Sequence, residues 1–275
     1  MAKRSSLADR LTEVRERIAA ACAKAHRDVK EVTLIAVTKS AAPEQIREIL
    51  QLGVGDLGES RVQVLTQRAA QINEFFHRQR THDESLLPAR LRWHMIGHLQ
   101  RNKIKPILQV VDLIHSVDSL RLAEELDLQA NKINKKLPIL LQINASEETT
   151  KSGVAVGAAI HLAEQIDSMP NLQLAGLMTM AEFSENPDIP RRAFARTREI
   201  FEEMRWQKIG GNHLRHLSMG MSNDFEQAIL EGATMVRIGT LLFGGASADH
   251  EETDDSADLE ARLRKQATNA EPKGE

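Results

Sequence analysis

The chain contains no tyrosine, a single cysteine and very few aromatic residues of any kind, 3% of its 275 residues. Each absence excludes something. One cysteine, Cys22, cannot build an intramolecular disulfide framework or a multi-cysteine zinc or iron–sulfur site. Without tyrosine, any chemistry that needs a phenolic acid or base must find another group. No run of about 18 apolar residues occurs, so no membrane-spanning helix is expected. The opening residues MAKRSSLADRL carry no apolar signal core, which places the expected compartment in a reducing cytoplasm. A net charge of −3 and a pI near 6.4 give no basic footprint for nucleic acid.

What is present is a repeating pattern. From 246 to 275 there are nine acids against four bases, so this net −5 segment leaves residues 1–245 with about +2. The tail segment SADHEETDDSAD has too little apolar area to offset its ordering entropy, and 246–275 reads as an acidic disordered tail. Residues 1–245 read as one domain. Its first helix spans about 6–26, with Leu7, Leu11, Val14, Ile18 and Ala21–Cys22 on one stripe. Val32–Thr38 follows as a continuous apolar strand of the kind buried on both faces. Further strands are expected near Asp56–Leu57, Arg92–Ile96, Leu113–His115, Ile139–Ile143, Gln173–Met178, Leu214–Ser218 and Met235–Ile238, each followed by a helical pattern. Eight alternating units predict an α/β fold, a single (β/α)8 barrel with an extra N-terminal helix. The polar, histidine- and arginine-rich stretch Phe75–Arg90 reads as a long inserted loop.

Two motifs invite over-reading. Gly53-Val-Gly55-Asp-Leu-Gly58 has the letters of a dinucleotide fingerprint, but a helix precedes it where a strand is required, so Gly53 reads as a helix C-cap. His94 and His98 have the spacing of helical metal ligands, yet they flank the end of a strand and need not share a face. No metal site is expected.

Lys39 is in phase with Thr33, Ile35 and Val37, at the C-terminal end of strand one where barrels place their chemistry. It either snorkels into water or presents an amine at the barrel mouth, able to form a Schiff base. The last two loops, Leu217–Ser222 and Gly239–Thr240, combine glycines and hydroxyls at helix starts, with Ser222 read as a helix N-cap, and suit a phosphate. Arg237 alternates inward between Val236 and Ile238, and an inward arginine needs a partner, whether an internal ion pair or a ligand. A Schiff-base lysine, a phosphate cup and an arginine facing a pyridine nitrogen together match what pyridoxal 5'-phosphate requires.

The chain resembles the pyridoxal-phosphate homeostasis proteins of the YggS/PROSC type over nearly all of 5–245. The matching stretches are Ala36–Lys39, Gly58–Gln63, Trp93–Lys103, Lys151–Gly153, Gly176–Met178, Leu217–Ser222 and Met235–Thr240 with Phe243–Gly244. The resemblance implies the barrel of the alanine racemase amino-terminal domain, fold-type III for this cofactor. It implies a Schiff base on Lys39, phosphate contacts from Ser218, Gly239 and Thr240, and Arg237 facing the ring nitrogen. The family reads Gly-Glu-Asn where this chain has Gly58-Glu59-Ser60, so Ser60 offers a shorter side chain beside the cofactor.

An arginine near the ring nitrogen keeps that nitrogen unprotonated and makes the cofactor a weaker electron sink. Two-base racemisation on this scaffold uses a tyrosine, which this chain lacks. The expected function is therefore pyridoxal-phosphate binding in intracellular homeostasis with little or no catalysis, with recipient apoenzymes as partners and a monomeric chain. The alternatives are an amino-acid racemase or lyase of low activity, a cofactor-free Schiff-base aldolase with a sugar phosphate in the cup, and a dimer in place of the monomer.

Overall fold

In the computed structural model, residues 5–82, 87–146 and 152–244 are described. The acidic tail, residues 83–86 of the expected loop, and Lys151 lie outside them. Eight strands close a parallel barrel: β1 (Thr33–Val37), β2 (Asp56–Glu59), β3 (Arg92–Met95), β4 (Leu113–Val117), β5 (Leu137–Asn144), β7 (Leu172–Thr179), β8 (His216–Ser218) and β9 (Met235–Ile238). A two-residue strand, β6 (Val154–Ala155), adds to the end of β5 outside the ring. Each ring strand pairs with its neighbour, β4 joins β5, and β9 returns to β1 with Ile35 opposite Arg237. The eight expected strands all occur, β8 beginning two residues later than its sequence pattern suggests.

The helices between them are α2 (Pro43–Gln51), α3 (Val62–His82), α4 (Ile104–Ile107), α5 (Leu120–Lys132), α6 (Ala159–Asp167), α7 (Asp188–Trp206), α8 (Phe225–Leu230) and α9 (Thr240–Phe243). Ahead of the barrel, α1 (Leu7–Lys24) starts with a capping box between Ser6 and Asp9 and buries the predicted stripe from Leu7 to Cys22. It packs on α2, α8 and α9, and Arg17 reaches Glu226 at 2.6 Å.

The stretch Phe75–Arg90 is not a loop throughout. Helix α3 continues to His82. Leu65, Ala69, Ile72 and Phe76 form one buried stripe, and Asn73 accepts a hydrogen bond from Trp93 Nε1 at 3.1 Å. The apolar stripe runs only to Phe76, and the last turns of the helix, His77–His82, are polar and basic.

The barrel has two apolar layers. The outer one, between strands and helices, includes Val236 and Ile238. The inner one is small: Ile35, Leu113, Leu140, Ala175, Met178 and Met235. The rest of the interior is polar, with His94, His115, Ser218 and Arg237 all at most 3% exposed. Barrel interiors are ordinarily filled by branched aliphatics. A half-polar interior is sustainable only if its groups are hydrogen-bonded to one another.

Candidate cofactor site

At the C-terminal ends of the strands lies a cavity of about 370 Å³. That volume is within the range of small-molecule sites. Lys39, Ser60, Arg237, Gly239 and Thr240 line it together, so five of the six residues singled out in the sequence converge on one space. Ser218 does not line it.

Lys39 is carried on a turn rather than on the strand. Strand β1 ends at Val37, and Ala41 N donates to Thr38 O at 2.9 Å, which puts Lys39 and Ser40 at the corners of a β-turn. The strand's phase still holds, because Val37 and Lys39 both face the cavity. A buried pair fixes the turn from beneath. Glu59, 1% exposed, accepts from Thr38 Oγ1 at 2.5 Å and is bridged by Arg68 Nη1. The same Nη1 donates to Thr38 O, and Arg68 Nη2 donates to Ala41 O at 3.0 Å. One guanidinium thus ties both ends of the lysine turn to the end of β2.

Arg237 is 3% exposed and has no ion pair among the described residues. Its Nη1 donates to Ser218 Oγ at 2.6 Å and its Nη2 to Thr179 O at 3.0 Å. Those are two of five guanidinium donors. Burial pushes its pKa down to about 10, opposed by the charge of Asp224, so it stays cationic at neutral pH. The internal ion pair considered from sequence is absent among the described residues, and the remaining donors belong to a side chain that lines the cavity.

The turn before α8 differs from the sequence expectation. Ser222 is not a helix cap: Asp224 occupies the cap position, accepts from Met221 N at 2.6 Å, and lets α8 start only at Phe225. Ser222 and Asn223 are thereby left in the turn, where both line the cavity. Gly220, at φ +87, makes the turn possible, since a Cβ there would meet Phe225 Cα at 2.7 Å. Across the cavity the chain enters α9 at Thr240, whose amide, like that of Leu241, has no intrahelical acceptor.

Ser218 is fully buried beneath Arg237. Its hydroxyl accepts from Arg237 and meets His115 Nδ1 at 2.9 Å. His94 and His98 part company: His94 turns into the barrel, while His98 lies at the cavity rim with Asp118 at 3.4 Å. The fingerprint-like glycines join a helix to a strand, Gly53 taking φ +85 just past the end of α2. Arg68, Glu59 and His115 are functional residues that the sequence pattern does not single out; only the inward phase of His115, in step with Leu113, signals one of them.

The donor set has a definite chemistry. A primary amine, a partly satisfied guanidinium, the four hydroxyls of Ser60, Ser152, Ser222 and Thr240, and helix-start amides surround a space that no carboxylate lines among the described residues. That set fits a small anion bearing an electrophilic carbonyl.

Residues 10–247 match the family model described as alanine racemase, N-terminal domain. The pyridoxal phosphate homeostasis protein of Aquifex aeolicus is 42% identical over 236 residues, covering 86% of this chain and 96% of that protein. Its namesake from Pseudomonas aeruginosa is 39% identical over 87% of this chain and 96% of its own length. Among solved structures, PipY of Synechococcus elongatus, 31% identical, covers 87% of this chain and 100% of its own. It matches with TM-scores of 0.73 without PLP and 0.72 with PLP bound. An alanine racemase of Clostridium difficile, 14% identical at a TM-score of 0.60, shares the fold. Sequence, barrel and cavity agree that the chain belongs to the alanine racemase N-terminal-domain family and, within it, to the pyridoxal phosphate homeostasis proteins.

Proposed function

We propose that this chain binds pyridoxal 5'-phosphate at the barrel mouth and serves intracellular homeostasis of that cofactor, with Lys39 as a reversible tether. The carrying observation is that the Lys39 amine and an under-satisfied, permanently charged Arg237 face one cavity. The named function of the relatives and the PLP-bound state of PipY support the same reading.

When bound, the cofactor supplies an aldehyde that condenses reversibly with an amine. Lys39 offers that amine from a clamped turn at the solvent edge. The hydroxyls of Ser222 and Thr240, with the amides at Gly239–Thr240, are placed to receive phosphate oxygens. Arg237 would face the ring nitrogen and would disfavour a second positive charge there. Ser218 acts through Arg237, and Ser60 fills the position beside the ring where the family carries asparagine. The absence of tyrosine removes the usual second base of racemisation. The proposed setting is cytoplasmic, the chain a monomer, and recipient apoenzymes the partners.

The test is a visible spectrum of the purified protein with the cofactor, before and after borohydride, beside Lys39→Ala. A band lost in the variant, a pyridoxyl mass fixed on Lys39 and no turnover of added amino acids are expected. Steady racemisation or elimination of amino acids would overturn the carrier reading.

A further inference from the structure

Arg237 does not end at Ser218. A continuous hydrogen-bonded chain runs from it through the barrel to the opposite end: Arg237 Nη1 to Ser218 Oγ at 2.6 Å, Ser218 Oγ to His115 Nδ1 at 2.9 Å, His115 Nε2 to His94 Nδ1 at 3.0 Å, and His94 Nε2 to Asp56 Oδ1 at 2.8 Å. The five residues come from β9, β8, β4, β3 and β2. Asp56 sits at the first residue of its strand, where Arg92 also meets it at 2.8 Å.

The two ends decide the direction of every bond between them. A guanidinium only donates and an ionised carboxylate only accepts. The Asp56 end sets the order: His94 must donate to it from Nε2. A singly protonated His94 then accepts at Nδ1 from His115 Nε2, and His115 accepts at Nδ1 from Ser218 Oγ, which itself receives from Arg237. All donors point one way and each interior member gives one bond and takes one. In this order each ring carries one proton, on Nε2.

The surroundings favour this state. Burial first, with the charge of Arg237 acting in the same direction, holds His115 well below the ordinary histidine range. Burial pushes the Asp56 carboxyl up, but its hydrogen bonds from His94 and Arg92 and the charge of Arg92 outweigh that and leave it lowered. The charged and titratable groups around the chain are Asp56 on β2, Arg92 on β3, His216 on β8, Arg237 on β9 and Asp224 ahead of α8.

We propose that Asp56, His94, His115 and Ser218 act as one polarised relay that fixes the orientation of Arg237 at the cavity and couples it to a remote counter-charge. His94 and His115 are positioning residues, acting on a ligand only through Arg237. The proposal rests on the cofactor reading for its binding arm alone. Its tautomer arm concerns the chain without ligand.

The experiment is long-range ¹H–¹⁵N correlation on the full-length, ligand-free protein. Neutral Nε2–H tautomers for both His94 and His115 through the neutral range are expected. An Nδ1–H tautomer or a charged His115 would overturn the relay. In Asp56→Asn the terminal group can donate as well as accept, so polarity is no longer enforced and both rings should show mixed tautomers. Pyridoxal-phosphate affinity should fall about tenfold, the lower range for disrupting such supporting contacts. Ser218→Ala, a small change that tests the other end if Asp56→Asn folds poorly, should lose a similar factor. The double variant should lose no more than either single one. Additive losses, unchanged affinity in the variants or a single tautomer in Asp56→Asn would overturn the coupling. If the wild-type protein takes up no pyridoxal phosphate, the cofactor reading fails while the tautomer result still decides the relay.

Discussion

Gly97 and Ser60 lie back to back at the cavity wall: a Cβ added to Gly97 would sit 2.3 Å from the Ser60 carbonyl oxygen and 2.7 Å from its Cα. Both residues line the cavity, so the backbone after β3 sets the position of the backbone after β2. Gly97→Ala is expected to push the Ser60 segment aside, lowering stability by about 2 kcal/mol and weakening cofactor binding. Gly157→Ala, where the methyl would meet nothing within 4 Å, is the control and should leave both unchanged. Thermal unfolding and a cofactor titration of the two variants check this.

Ser60→Asn restores the side chain the family carries at this position. One added hydrogen bond is worth about 1 kcal/mol, so affinity should rise roughly fivefold at most. Equal or weaker binding in the titration would mean that asparagine has no acceptor or donor to meet here.

The clamp under the lysine turn makes an asymmetric prediction. Arg68→Met leaves the carboxylate of Glu59 buried without its cation, which should cost about 3 kcal/mol. It also frees the carbonyls of Thr38 and Ala41, so Lys39 loses its fixed corner. Glu59→Met combined with Arg68→Met removes the stranded charge and should recover much of the stability while leaving tethering impaired. Urea unfolding reads the first effect, and the rate of borohydride-fixed label on Lys39 reads the second.

Acid should unfold the protein from the histidine side before the carboxylates titrate. Burial, helped by Arg92 and His94, lowers His216 from 6.5 to about 4. A lowered histidine favours folding fully above its unfolded value, and that contribution is lost as pH falls from about 6.5 toward about 4. His115, lowered by burial, acts in the same sense. His98, raised by its bond to Asp118, has the opposite sign: its contribution is present at low pH and declines as pH rises through its folded value. One proton of difference gives a slope of about 1.4 kcal/mol per pH unit. His216→Gln should flatten the acid limb of the Tm-versus-pH curve, and an unchanged limb would contradict the assignment.

Much of this architecture was legible from periodicity. The buried stripe of α1, the continuous run of β1 and the eight-fold alternation required only residue spacing, and inward phase located Lys39 and Arg237. The extension of α3 was missed because its last turns, past the Leu65–Phe76 stripe, carry arginine, glutamine and histidine. Ser222 was misplaced because Asp224 competes for the cap, a contest between two good capping residues that local sequence does not settle. Glu59, Arg68 and the His94–His115 contact depend on pairing between elements distant in the chain. Single-strand patterns carry no information about which inward residues meet.

The polar column and the apolar layer of Ile35, Leu113, Leu140, Met178 and Met235 together fill the barrel below Arg237. Among the described residues the cavity is therefore closed from below and opens at the rim where Lys39 is exposed. Loading and unloading must use the same passage in turn. On the proposed carrier role, a recipient that covered the rim would block any incoming molecule, so each departure would precede the next arrival.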